Sequence, residues 1–163
     1  MRNQTKKLTV LALTVSVAMV LSFIESKIPA FVAIPGVKVG LANIAVIFAL
    51  YKLGAKEAVL VSLVRCVLIA LLFGSVVSLA YSLAGAALSL TVMVALKKLT
   101  PLSSIGVSVA GGVCHNVGQI IVASLIMETN VIVYYLPFLI LSGTVAGIAV
   151  GVASALLVKK IKV

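Results

Sequence analysis

Few side chains in this sequence could bind or react within apolar surroundings, and four of them lie deep in apolar runs. Arg65 sits in the middle of one run. The lone histidine, His115, sits in another, followed by Asn116 and Gln119. A fifth polar residue, Asn43, lies near the start of a third. On a helix, His115 and Gln119 share a face at spacing i, i+4; Asn116 is turned away from His115 but stands three residues from Gln119. A guanidinium in apolar surroundings needs polar groups, water or an anionic ligand. Asn116 and Gln119 offer carbonyl oxygens and neutral His115 one acceptor nitrogen. These groups are expected to hold Arg65 and to leave its other donors for a carboxylate or phosphate, which a guanidinium grips with two parallel bonds. The substrate expected is a small molecule with an anionic head and an apolar body. Two other readings stay open: a structural network in which Arg65 caps carbonyls, and an arginine that merely reaches toward the membrane surface.

Other chemistries lack their residues. The chain has no aspartate, and Glu25, Glu57 and Glu128 all fall at the ends of apolar runs. That removes an aspartate-rich magnesium-diphosphate site and paired intramembrane carboxylates. There is no G-x-x-x-x-G-K-[ST] phosphate loop. One histidine and two separated cysteines give no metal-ligand set, and His115 has no acidic neighbour for a Ser-His-Asp arrangement. No cofactor and no catalysis are expected, which leaves binding or transport.

The surrounding sequence is that of an all-α integral membrane protein with one domain. It is 63% hydrophobic, with mean hydropathy +1.36 and 10% charged residues, against about 25% charged in a soluble domain. The net charge of +10 does not imply nucleic acid, because the basic residues sit between apolar runs. The first run follows a basic start, as a signal peptide's would, but no small-residue cleavage site follows, and it reads as a helix. Cys66 and Cys114 lie inside apolar runs and imply no disulfide.

Six transmembrane helices are expected, at about 8–24, 39–53, 58–73, 76–96, 105–127 and 131–158. A crossing needs about 20 helical residues, and the charge-free run 99–127 places His115 near mid-membrane. With alternating loops, ten Lys and Arg residues fall on one side and Lys27 and Lys38 on the other. Basic loops stay in the cytoplasm, so both termini are expected there, in the plasma membrane of a prokaryote. The connection 25–38, with Pro29 and Pro35-Gly36, breaks the helix and reads as a surface segment that could act as a lid. Small residues spaced by four let helices approach closely. Thr14, Ala18 and Ser22 form one such stripe and Ala12 and Ser16 a second, read either as packing inside the bundle or as docking to a partner. Gly143, Gly147 and Gly151 read as close helix packing.

Several stretches together resemble one family. Pro35-Gly36-Val37-Lys38-Val39-Gly40-Leu41-Ala42-Asn43-Ile44 looks like the signature of the Gx transporter family, as do Gly54-Ala55-Lys56-Glu57-Ala58, Ser62-Leu63-Val64-Arg65, Tyr81-Ser82-Leu83-Ala84-Gly85 and His115-Asn116-Val117-Gly118-Gln119. Tyr134-Tyr135-Leu136-Pro137 and Leu141-Ser142-Gly143 extend the match, which covers nearly the whole chain in order. That family often carries the label heptaprenyl diphosphate synthase component I. It also resembles the substrate-binding S components of energy-coupling factor (ECF) vitamin transporters. The resemblance implies a six-helix bundle and a pocket opening outward. It also implies a partner module of a transmembrane T subunit and two ATPases, contacted through small residues of the first helix. It does not name the substrate, which is expected to be vitamin-like or a precursor of an isoprenoid or quinone. The alternative is a non-transporting membrane subunit of a prenyl diphosphate synthase, or of a quinone- or flavin-linked electron-transfer complex.

Overall fold

The computed structural model describes residues 2–27 and 40–161. The regular structure among these residues is helical. In chain order it comprises α1 (Arg2–Lys27), α2 (Asn43–Lys52), α3 (Ala55–Phe73), α4 (Val76–Leu99) and α5 (Ser104–Ile126), then a 3₁₀ turn (Val131–Tyr135) leading into α6 (Leu136–Lys160). The starts have local causes. The Ser75 hydroxyl accepts from the Ser78 N–H (3.1 Å) ahead of α4, and the Ser103 hydroxyl accepts from the Gly106 N–H (3.3 Å) ahead of α5; each satisfies a donor the helix leaves open. Pro137 occupies the first turn of α6, where its missing N–H costs nothing.

Among the described residues, four stretches are long and apolar enough to cross a membrane: Gln4–Lys27, Val76–Leu99, Ser104–Ile126 and Val131–Lys160. Helix α3 has 19 residues but carries Lys56, Glu57 and Arg65. Helix α2 departs most from the sequence reading. It begins at Asn43 rather than near residue 39 and has only 10 residues, about 15 Å of rise against a hydrocarbon core of about 30 Å. Gly40, at φ 92°, makes the turn into it, with the Asn43 N–H bonded to the Gly40 carbonyl at 2.9 Å. Ala45, Val46, Ile47, Phe48, Ala49 and Leu50 are all buried, as suits a helix that is apolar all round. Thus α2 is a core element, packed on α1, α3 and α6.

Helix α1 runs further than expected, to Lys27. Glu25 is therefore helical rather than in a loop. It is buried, and its Oε1 accepts from the Gly40 N–H. Residues 28–38 of the expected lid lie outside the described residues.

The most extensive contacts join α5 to α4 and to α6. Glycines make this possible. A Cβ on Gly147 would lie 2.6 Å from Val109 Cα, one on Gly151 2.8 Å from Ile105 Cα, and one on Gly112 2.7 Å from the Gly143 carbonyl oxygen. On the α4 side, a Cβ on Gly118 would lie 2.7 Å from the Ala84 carbonyl oxygen. The Ser108 hydroxyl crosses the α5–α6 seam to the Gly147 carbonyl at 2.7 Å.

The contacts also fix the ends of the bundle. An ion pair joins Lys7 to Glu57, and Lys97 Nζ donates to the Leu50 carbonyl at 2.6 Å. The start of α1, the α2–α3 turn and the end of α4 thus lie together. The antiparallel seam, with Ile105 against Gly151, brings the end of α6 there as well. Most of the described lysines gather at this end. Lys27 lies at the other, above the Phe23 ring (5.2 Å), with the Phe23 and Phe73 rings tilted at 52° and their centroids 4.9 Å apart. The hydrogen bond from Lys7 holds the Glu57 carboxyl below the usual carboxylate range.

Candidate functional site

Arg65 is the eleventh residue of α3, near its middle, and is only 5% exposed. Its Nη1 donates to the Ser22 hydroxyl and its Nη2 to the Cys66 sulfur, each at 3.5 Å. Its Nε, also buried, has no hydrogen-bond partner. An arginine carries five N–H donors in a rigid fork; N–H···O bonds are usually 2.7–3.2 Å long, so the Ser22 bond is stretched, and the Cys66 sulfur, at an ordinary distance for its size, is a weak acceptor. This guanidinium is buried yet weakly held. Cys66 in turn donates to the Ser82 carbonyl on α4 at 3.8 Å.

His115, Asn116 and Gln119 are all buried on α5 but aim elsewhere. The His115 ring packs on Gly85 of α4, where a Cβ would stand 2.9 Å from His115 Cε1. Asn116 turns to α6: its Nδ2 donates to the Leu139 carbonyl at 2.8 Å, and it lies against Gly143, whose added Cβ would be 2.9 Å from that nitrogen. Gln119 is 1% exposed. The bonds expected from these three residues to Arg65 are not formed. Helix α5 is sandwiched between α4 and α6, and His115 packs on the one and Asn116 bonds the other, while Arg65 reaches α1. Both groups still approach α4 within one turn, Cys66 at Ser82 and His115 at Gly85.

Asn43 stands apart from both. It lines a narrow cleft with Gly40, Met93, Ser108, Gly111 and Gly147. That void has about 10 Å³ open to the centre of a water molecule, enough for roughly one water.

The two small-residue stripes of α1 part company. Thr14, Ala18 and Ser22 are buried within the bundle, so they cannot meet a partner from outside, and the docking alternative fails for them. Ala12 and Ser16 are exposed on the opposite face. The Ser16 hydroxyl bonds back to the Ala12 carbonyl at 3.0 Å, leaving a shallow surface with its polar atoms satisfied.

The sequence reading missed two neighbours of Arg65. Ser22 was legible only as a small residue, and Cys66 only as an apolar one. Glu25 was missed for a different reason: it was placed in a loop.

Residues 14–157 match the family model described as heptaprenyl diphosphate synthase component I. No curated protein and no solved structure matches the chain.

Proposed function

The chain belongs to the heptaprenyl diphosphate synthase component I family, and from that premise we propose that it is a membrane-embedded substrate-binding subunit of an ECF-type uptake transporter. It takes a small molecule with an anionic head and an apolar body from outside. A T subunit and two ATPases, all separate chains, supply the energy. The protein lies in a prokaryotic plasma membrane with both termini in the cytoplasm. The polypeptide crosses six times, with α2 completing its crossing inside the bundle rather than against lipid.

One observation carries this reading: Arg65 is buried, its Nε has no partner, and its other bonds go to a hydroxyl at a stretched 3.5 Å and to a thiol sulfur, a weak acceptor. A buried charge so poorly satisfied is costly, and an anion supplies what the protein withholds. His115, Asn116, Gln119 and Asn43 complete the substrate contacts when the bundle opens to admit it. Ala12 and Ser16 form the contact with the T subunit, a surface on which small residues let a partner helix come close.

The family description favours a second reading, in which the chain is a non-catalytic membrane subunit that associates with another component of a prenyl diphosphate synthase. Neither reading makes this chain the catalyst. Magnesium in phosphate chemistry is usually held by carboxylates, and the chain has no aspartate.

Co-purification separates the two. Mild solubilisation of the tagged protein from its own cells is expected to recover a T subunit and two ATPases. Recovery of a soluble synthase subunit without them refutes the transport reading.

A further inference from the structure

We infer that the head group taken at Arg65 is a single carboxylate, seated between α1, α3 and α4 by Arg65, Ser22 and Cys66, and that a diphosphate is excluded. The inference rests on the reading of Arg65 as the ligand's cation and adds which anion it selects.

Charge is the first argument. The two hydrogen-bond partners of Arg65 among the described residues are neutral: the Ser22 hydroxyl and the Cys66 thiol. The nearest described cation along α1 is Lys27, which sits over the exposed ring of Phe23 on the outer face, not on the inward face that carries Ser22. The lysines Lys7 and Lys97 are engaged at the opposite end of the bundle. On the inward face of α1, three residues beyond Ser22, stands a carboxylate, that of Glu25, bonded to the Gly40 N–H. The site therefore offers one full positive charge, with a negative group a turn away. Beside that negative group a carboxylate, a monoanion, adds the least further negative charge. A phosphate monoester already carries about −1.5 to −2 at neutral pH, and a diphosphate carries more, which would leave buried negative charge uncompensated.

Geometry is the second. A carboxylate has two oxygens at the spacing of two guanidinium N–H groups, and the Nε of Arg65 is unused. The Ser22 hydroxyl can rotate to donate to the same anion. Ser22 and Cys66 are 1% and 2% exposed, so both lie in the dry interior, where such bonds are strengthened. Cys66 then becomes a built-in reporter, because a head seated on Arg65 covers its sulfur.

The test uses the full-length protein in lipid nanodiscs with Cys114→Ala, so that Cys66 is the sole thiol. Three probes share one apolar body and differ in the head: geranic acid, geranyl monophosphate and geranyl diphosphate. The readout is the rate of Cys66 alkylation. Geranic acid is expected to slow alkylation at least tenfold, and geranyl diphosphate to leave it unchanged. Arg65→Lys, which keeps the charge and loses the fork, should raise the geranic acid concentration needed by more than tenfold. Ser22→Ala should raise it several-fold. Protection by geranyl diphosphate equal to or greater than that by geranic acid, and lost in Arg65→Lys, overturns the carboxylate inference while leaving Arg65 as the ligand's cation. No protection by any probe, or protection that Arg65→Lys does not weaken, overturns both.

Discussion

Replacing Gly147 by alanine tests whether the glycines of the α5–α6 seam hold the polar residues of α5 in place. The added Cβ would lie 2.6 Å from Val109 Cα, 3.1 Å from the Ser108 carbonyl oxygen and 3.2 Å from Val109 N. All three are backbone atoms, so no side chain can swing aside. Ordinary contact begins at 3.4 Å, and the two helices must part by most of an ångström. Overpacking of this kind costs about 1–3 kcal/mol. Parting the helices also stretches the 2.7 Å bond from Ser108 to the Gly147 carbonyl, worth roughly 0.6 kcal/mol between membrane helices. Alanine's better helix propensity returns up to about 1 kcal/mol. The net loss is about 1–3 kcal/mol, or roughly 3–10 °C in melting temperature on the scale of soluble proteins. Gly106→Ala is the control, because its Cβ would meet Leu102 Cδ2 at an ordinary 3.5 Å. It should leave the melting temperature unchanged or slightly raised. A thiol-reactive dye reports unfolding as Cys66 and Cys114 become accessible. If Gly147→Ala melts at or above the Gly106→Ala value, the seam does not depend on bare backbone contact.

Three further outcomes are expected. Lys97→Met removes both the donor to the Leu50 carbonyl (2.6 Å) and the cation above the Tyr51 ring (4.8 Å); it should cost about 1–3 kcal/mol, read by the same dye assay, with Lys97→Arg losing less. For orientation, single cysteines at positions 3 and 161 should be shielded from an impermeant thiol reagent in intact cells while one at position 129 reacts; labelling of either terminus from outside refutes the cytoplasmic placement. Ala12→Leu or Ser16→Leu should separate the protein from a T subunit in pull-downs and leave its melting temperature within about 1 °C, since both positions are exposed and surface changes are near neutral; undiminished co-purification of both variants moves the interface elsewhere.

The long helices were legible because apolar length alone defines them. Helix α4, expected at 76–96, ends at Leu99, and α5, expected at 105–127, is Ser104–Ile126. The glycine stripe Gly143, Gly147 and Gly151 was legible as packing because spacing by four has one geometric meaning on a helix. Helix α2 was not, because apolar length cannot distinguish a lipid-facing span from a short helix enclosed by the bundle, and the turn at Gly40 depends on a backbone angle. Glu25 was misplaced because a glutamate beside serine and lysine looks solvated. What buries it is a backbone donor 15 residues away. The polar residues themselves were easy to find, but their directions were not. Asn116 bonds the Leu139 carbonyl and Arg65 reaches Ser22, 43 residues back in the chain. A backbone acceptor leaves no mark in sequence, and a hydroxyl on a distant helix looks like any other small residue.

The central claim is that Arg65 is the cation for an anionic ligand. The most direct measurement is mass spectrometry of the small molecules retained by the protein purified gently from its own cells, compared with Arg65→Met prepared in parallel. The wild type is expected to carry an anionic small molecule, and the variant, folded but lacking the guanidinium, to carry at most a tenth as much. Equal retention by the two proteins, or retention by neither, contradicts the claim.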